Sequence, residues 1–145
     1  MPEITGFDHL YLSVSNLARA EAFYDRAMAV LGFHKNRFEL GVEAHVQYYN
    51  RHFGLVLRPA RFANAHEPYA PGLHHVCLRV DSIDDVMSAS RELRAAGIPA
   101  SDAALHTAYA PDYWATHFHD PDGIHFEITN YRAERRARHD NWPLA

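Results

Sequence analysis

The sequence contains very little cysteine and very little lysine. Cys77 is the only cysteine among 145 residues, which excludes an internal disulfide framework and is typical of a protein in the reducing cytoplasm. Lys35 is the only lysine, and 14 basic residues against 18 acidic ones give a net charge of −4. This charge does not provide the general basic surface of a nucleic-acid-binding protein, so we expect no nucleic-acid partner.

Long hydrophobic runs are also missing. A membrane-spanning helix needs about 20 consecutive apolar residues, and the sequence has no such run and no recognisable signal peptide. We therefore expect a cytoplasmic protein with no membrane partner. Hydrophobic residues make up 48% and charged residues 22% of the chain, which excludes the collagen-like, coiled-coil and disordered classes.

Histidine, in contrast, is abundant. The chain has twelve histidines, and they do not form a tag-like run. Histidine is the commonest metal ligand in proteins and titrates near neutral pH, so its abundance is the first indication of metal or acid–base chemistry.

The chain contains an internal repeat. Residues 6–14 match residues 72–80 at a constant offset (72 − 6 = 66), with Gly, His, Leu and Val coinciding. The match returns, shifted by one position, at residues 31–33 and 96–98. We interpret this pattern as two copies of one supersecondary unit. The predicted organisation is a single domain over 1–145, with module one at about 4–66, module two at about 70–131 and a C-terminal tail at 132–145.

Each copy has the same predicted order of elements. It opens with a strand of alternating polar and apolar residues and continues with a helix. Asn16 and Ser82 are suitable N-cap residues, and Gly32 and Gly97 stand where the helices should end. Three further strands are predicted in each copy, near 34–40, 44–50 and 54–59, and near 98–106, 112–119 and 124–130. The unit is therefore β-α-β-β-β, repeated in an α+β protein, and the tail is predicted to form a short solvated helix.

The polar faces of the predicted strands indicate a metal site. If the two copies curl together, His9, His75 and Glu127 face one groove. A lone histidine in a strand is more often a hydrogen-bonded polar residue than a ligand, but His9 and His75 are equivalent positions of the repeat. Two imidazoles and one carboxylate leave coordination positions open, as in non-haem iron sites, and are compatible with Fe, Mn, Zn, Ni or Co. A structural zinc site would instead be closed by four ligands.

Two further residues, His117 and Tyr113, are candidates for catalysis. His117 shares its strand face with Tyr113 and lies before the hairpin that carries Glu127. A neutral imidazole at this position could accept a proton from a metal-bound substrate. His125 is a competing candidate, and a purely orienting role for His117 is the alternative reading.

These features together resemble the vicinal oxygen chelate superfamily, which includes glyoxalase I, extradiol dioxygenases, and fosfomycin- and bleomycin-resistance proteins. The motifs that carry the resemblance are Phe7–Val14, Gly72–Val76 and Asp120–Glu127. The resemblance implies two βαβββ modules that form an incompletely closed, U-shaped mixed β-barrel with flanking helices around a divalent metal ion. Matching of ligand positions again gives His9, His75 and Glu127, and the implied substrate is a small molecule that chelates the metal through vicinal oxygens.

The sequence departs from the glyoxalase I pattern at one ligand. Val56 stands where the last strand of the first module should carry a carboxylate, and His117 stands where extradiol enzymes usually have a tyrosine. These departures count against ordinary glyoxalase I activity and against a strict extradiol signature. The predicted ligand set as a whole still leads us to expect a glyoxalase-like or extradiol-dioxygenase-like metalloenzyme. The alternative is a small-molecule-binding or antibiotic-resistance protein, of the fosfomycin or bleomycin type, with a vestigial or differently used metal site. A homodimer is expected, and the metal site could lie within one chain or across two.

Overall fold

The computed structural model describes residues 2–143, and its elements follow the repeat. Residues 1, 144 and 145, which belong to the predicted domain and tail, lie outside the described residues. Module one contains β1 (His9–Val14), α1 (Leu17–Val30), β2 (His34–Leu40), β3 (Glu43–Tyr49) and β4 (Gly54–Pro59). Module two contains β5 (His75–Val80), α2 (Ile83–Ala95), β6 (Ala104–Leu105), β7 (Trp114–His119) and β8 (His125–Asn130), followed by α3 (Ala133–Asp140). The predicted α+β class with two βαβββ modules is confirmed.

The two modules form two open, mixed sheets of four strands with matching topology. The strand orders are β1-β4-β3-β2 and β5-β8-β7-β6, with a parallel first pair in each sheet. Tyr11 of β1 pairs with Val56 of β4, and Cys77 of β5 pairs with Glu127 of β8. Tyr11 and Cys77 are equivalent in the repeat, so Val56 occupies in module one the position that Glu127 occupies in module two.

The helices begin and end where the sequence predicts. The Asn16 side chain accepts a hydrogen bond from the Arg19 backbone N–H at 2.9 Å, and Ser82 forms a reciprocal capping box with Asp85. α3 has no buried residues, which confirms its prediction as a solvated helix. Among the helices of residues 2–143, none is long and apolar enough to cross a bilayer.

The apolar faces of both sheets and both long helices form one shared core. α1 contributes Phe23 and Tyr24, whose rings contact Phe118 and Phe126 of the other module. Burial of such aromatic side chains stabilises the fold, at about 25 cal/mol per Å² of apolar surface removed from water. Because the apolar faces are buried within the chain, the polar faces of the strands remain available for a functional site.

The turn between β7 and β8 connects the two modules. Asp120 accepts hydrogen bonds from the Tyr24 hydroxyl of α1 at 2.9 Å and from the Ile124 backbone N–H at 2.8 Å. Asp122 accepts a hydrogen bond from the Ser15 backbone N–H at 2.8 Å, at the start of α1. The predicted turn is confirmed, and its carboxylates hold the hairpin of Glu127 against module one.

The strand predicted near 98–106 is much shorter in the structure. Only Ala104–Leu105 pair with β7. Pro99 has no N–H to donate to a ladder. Ser101 reaches β7 through a single backbone hydrogen bond to the His117 carbonyl at 2.8 Å, and its hydroxyl accepts from the His117 backbone N–H at 3.0 Å. The apolar residues Ile98 and Ala100 are buried in this irregular segment, which explains why the pattern resembled a strand.

Candidate metal centre

His75 and Glu127 form a closely spaced pair of candidate ligands. β5 and β8 are neighbouring strands, and the pairing of Cys77 with Glu127 places His75 on the same face, two residues away. His75 Nε2 lies 3.4 Å from Glu127 Oε2. Two ligand atoms each about 2.1 Å from one ion, at a tetrahedral angle, are also roughly 3.4 Å apart. The pair therefore has the spacing that a shared divalent ion requires.

Tyr113 determines the orientation of the Glu127 carboxylate. Its hydroxyl donates a hydrogen bond of 2.5 Å to Glu127 Oε1, which leaves Oε2 facing His75. Burial and the hydrogen bond to Glu127 raise the pKa of Tyr113 well above its ordinary value, so the hydroxyl keeps its proton and remains a donor. The Glu127 side chain is buried, at 8% exposure, and this contact satisfies one of its oxygens.

Each of the two repeat-equivalent histidines is held by the residue before it. His9 Nδ1 lies 2.6 Å from Asp8 Oδ2, and His75 Nδ1 lies 2.7 Å from His74 Nδ1. Asp8 and His74 are themselves equivalent at the offset of 66. A contact at Nδ1 leaves Nε2 free, and a hydrogen bond at the other ring nitrogen is the usual support of a metal-bound histidine.

His9 does not join His75 and Glu127 within one chain. It lines an open cleft of about 470 Å³ at the end of the first sheet, with Asn36 and Gln47 among its neighbours. In residues 2–143, no group of three or more His, Cys, Asp or Glu side chains could hold a metal ion. A single chain therefore brings together two of the three predicted ligands.

His117 lies beside Glu127, as its strand position predicts. It is the register partner of Glu127 on β7, and its Nδ1 is 3.0 Å from His125 Nε2. The His125 ring in turn lies 5.3 Å from the His75 ring. Burial lowers the pKa of both His117 and His125, so both imidazoles are neutral at pH 7. Module two thus presents a row of neutral imidazoles next to the pair of candidate ligands.

Cys77 lies within this polar face without the properties of a nucleophile. Burial, followed by the Glu127 carboxylate, raises the pKa of the Cys77 thiol to about 11. The thiol is therefore protonated at neutral pH, and only the thiolate is a strong nucleophile or metal ligand.

The sequence interpretation missed three residues that contact the candidate site. Asp8 and His74 orient the two histidines, and Arg132 stacks on the Tyr113 ring. The offset of 66 already made Asp8 and His74 equivalent, so the repeat contained a signal for them. The contact of Arg132 with Tyr113 had no such signal, because it joins the end of β8 to the loop before β7.

The family model described as "Glyoxalase/Bleomycin resistance protein/Dioxygenase superfamily" matches residues 6–128 of the chain. No curated protein matches the chain at a significant level.

Several solved structures share the fold. One is a glyoxylase/bleomycin resistance protein/dioxygenase domain from Frankia sp. EAN1pec, with a TM-score of 0.71 and 22% identity over 90% of this chain and 100% of that chain. A glyoxalase family protein from Enterococcus faecalis has a TM-score of 0.66 and 22% identity, over 86% and 97%. The fosfomycin resistance protein FosX from Listeria monocytogenes has a TM-score of 0.67 and 15% identity, over 94% and 99%. At these identities the likeness shows the fold alone.

Proposed function

This chain belongs to the Glyoxalase/Bleomycin resistance protein/Dioxygenase superfamily, and on that basis we propose that it is a metal-dependent enzyme. The proposed reaction is glyoxalase-like or extradiol-dioxygenase-like, on a small substrate that chelates a divalent ion through two neighbouring oxygens. The observation that carries the proposal is the 3.4 Å spacing of His75 Nε2 and Glu127 Oε2. An ion of Fe, Mn, Zn, Ni or Co at this position would supply Lewis acidity and a template for the substrate.

The third ligand in this proposal is His9 of a partner subunit. His9 is positioned by Asp8 in the same manner as His75 is by His74, yet it lies apart from the pair in its own chain. Near the start of β1, Ile4 and Phe7 are large apolar side chains exposed to solvent. An apolar surface beside an incomplete site supports a homodimer in which module one of one chain faces module two of the other.

The proposed roles of the neighbouring residues follow from their contacts. Tyr113 holds Glu127 Oε1, so it keeps the ligand oxygen in place through one hydrogen bond. His117 lies beside Glu127, and its Nδ1 forms a hydrogen bond with His125 Nε2. The Nε2 atom of His117 is therefore the nitrogen that can accept a proton from the substrate. The lone thiol of Cys77 is compatible with a cytoplasmic location, where it stays reduced.

One observation favours a second candidate function. Because one chain does not assemble three ligands, a protein that stays monomeric would be a small-molecule-binding or resistance protein with a vestigial metal site. The fosfomycin resistance protein FosX has the same fold, which makes this class a concrete alternative.

Complementation between two ligand variants tests the proposed site. His9→Ala and Glu127→Ala proteins are each prepared, unfolded together and refolded as a mixture, and Co(II) binding is followed by its absorption spectrum. Each variant alone should lose most of its metal affinity, because each lacks one ligand in both sites of its dimer. A mixed dimer contains one complete site, so the mixture should recover about a quarter of the native stoichiometry for random pairing.

The control is a mixture of His75→Ala and Glu127→Ala proteins. Both of these ligands come from the same chain in the proposal, so this mixture should recover no site. Recovery in the control, or none in the first mixture, would contradict a site shared between chains. Metal binding by neither the native dimer nor the mixtures would instead favour the binding-protein alternative.

A further inference from the structure

Arg132 is a largely buried arginine at the junction of β8 and α3. Its side chain is only 12% exposed, and its guanidinium carbon lies 4.4 Å from the centre of the Tyr113 ring. In residues 2–143, its one ion pair is a contact of 3.3 Å from Nε to Glu134, whose side chain is 62% exposed. A long contact to an exposed carboxylate stabilises a guanidinium little, so most of its donor capacity is unused by the protein.

The same tyrosine ring connects Arg132 to the candidate metal centre. The face of the Tyr113 ring stacks against Arg132, and the Tyr113 hydroxyl donates a hydrogen bond of 2.5 Å to Glu127 Oε1. The Tyr113 side chain therefore lies between the guanidinium and the candidate ligand Glu127.

Further positive charge lies at the same end of the polar face. Arg79 follows Cys77 by two residues on β5, and its guanidinium carbon is 4.0 Å from the Tyr131 ring. The nearby Asp112 carboxylate is already bound by the Ala133 backbone N–H at 3.0 Å. The polar face of module two thus runs from metal ligands at one end to arginines at the other.

We propose that Arg132 determines substrate specificity by binding a carboxylate group of the substrate. The inference rests on the proposed function, since the vicinal oxygens of the same substrate would occupy the metal. The substrate class is therefore a vicinal diol, enediol or catechol that also carries a carboxylate remote from its chelating oxygens. A planar guanidinium pairs with a carboxylate through two parallel hydrogen bonds, and stacking on Tyr113 holds it in one plane beforehand.

Two probes of equal size separate charge recognition from chelation. Both 3,4-dihydroxybenzoate and 3,4-dihydroxybenzamide can chelate a metal through two hydroxyls, but only the first carries a negative charge. Titration of the Co(II)-loaded protein should show the benzoate binding roughly 10- to 100-fold more tightly than the benzamide, as for a hydrogen bond between charged groups. Arg132→Gln should abolish this preference, so that the benzoate and the benzamide bind with equal affinity. Glu134→Gln, which removes the competing carboxylate, should increase the preference.

The matched control is Arg138→Gln, the same change of charge at an exposed position of α3. It should keep the native preference, whereas equal losses in both arginine variants would indicate a general charge effect and overturn the proposal. A native protein that does not distinguish the probes would also overturn it.

A metal-independent measurement separates failure of this inference from failure of the proposed function. Before metal is added, benzoate should shift the Arg132 Nε–Hε resonance in an arginine-labelled sample, and benzamide should not. The resonance is assigned by its loss in Arg132→Lys. If no dihydroxy probe binds the metal-loaded protein, the proposed function fails, and the benzoate shift still supports carboxylate binding. Absence of this shift overturns the role of Arg132.

Discussion

The hydroxyl of Tyr113 and the carboxylate of Glu127 are joined by a hydrogen bond of 2.5 Å, which leaves only one carboxylate oxygen facing His75. This relationship makes Tyr113 a positioning residue for the proposed metal. Tyr113→Phe keeps the ring and its stacking with Arg132 but removes the donor. Loss of such a supporting hydrogen bond typically lowers metal affinity by about 10- to 100-fold.

The measurement is a Zn(II) competition titration, with circular dichroism to verify the fold. Tyr109→Phe is the control, because Tyr109 is an exposed neighbour of Tyr113. Unchanged zinc affinity in Tyr113→Phe would show that Glu127 is positioned without this bond.

Val56 is the module-one equivalent of Glu127, and this equivalence can be tested by restoring a carboxylate. Val56 is 2% exposed, so Val56→Glu buries an unpaired charge and should lower the free energy of unfolding by roughly 3 kcal/mol in metal-free protein. Zn(II) should recover much of this loss, because a cation beside His9 would pair the new carboxylate.

Chemical unfolding with and without Zn(II) gives the result, and Val56→Gln is the uncharged control. Equal responses of the Glu and Gln variants to zinc would mean that position 56 does not face the metal.

His117 is expected to act on substrate rather than to hold the metal. In His117→Phe, catechol cleavage under Fe(II) should decrease by roughly 10²- to 10⁴-fold, the usual contribution of a general base, while metal content stays intact. Elemental analysis and turnover are measured together. His119→Phe, an exposed histidine of the same strand, should retain activity. Loss of metal together with activity would instead assign His117 an orienting role.

An ion-pair network on module one predicts how stability depends on pH. Burial alone would raise the pKa of Glu21, but hydrogen bonds from Lys35 and Arg37 outweigh it and lower the pKa below 4.5. For Asp25, burial is likewise outweighed by hydrogen bonds from Lys35 and Tyr48, and its pKa lies below 3.8. A carboxylate with a lowered pKa stabilises the folded state above its unfolded pKa, and this stability is lost as the pH falls through the folded pKa.

Lys35→Gln removes the central cation of this network. Above about pH 5 the variant should be less stable by about 1 kcal/mol or less, and the difference should vanish toward pH 2. Urea unfolding across this pH range measures the effect, with Arg138→Gln as the control. A difference that stays constant with pH would exclude the carboxylates as its source.

The repeat explains why so much of the fold could be predicted. Asn16 and Ser82 cap the helices through local hydrogen bonds, and the alternation around His9 and His75 defines which side chains share a face. These are interactions between residues close in sequence, so they can be recognised from the sequence pattern. The prediction failed in detail near 98–106, where Pro99 interrupts the apolar segment and only Ala104–Leu105 pair with β7.

The sequence by itself determined the two βαβββ modules and which residue types face the polar side, because strand parity and helix caps depend on neighbours along the chain. Only the tertiary structure decided which of those residues meet. It paired His75 with Glu127 through the register of β5 and β8, placed Tyr113 against Glu127 and Arg132 against the Tyr113 ring, and left His9 apart. The physical reason is that the apolar faces of both modules are buried against each other within one chain, which directs the packing and thereby separates the first histidine from the other two candidate ligands.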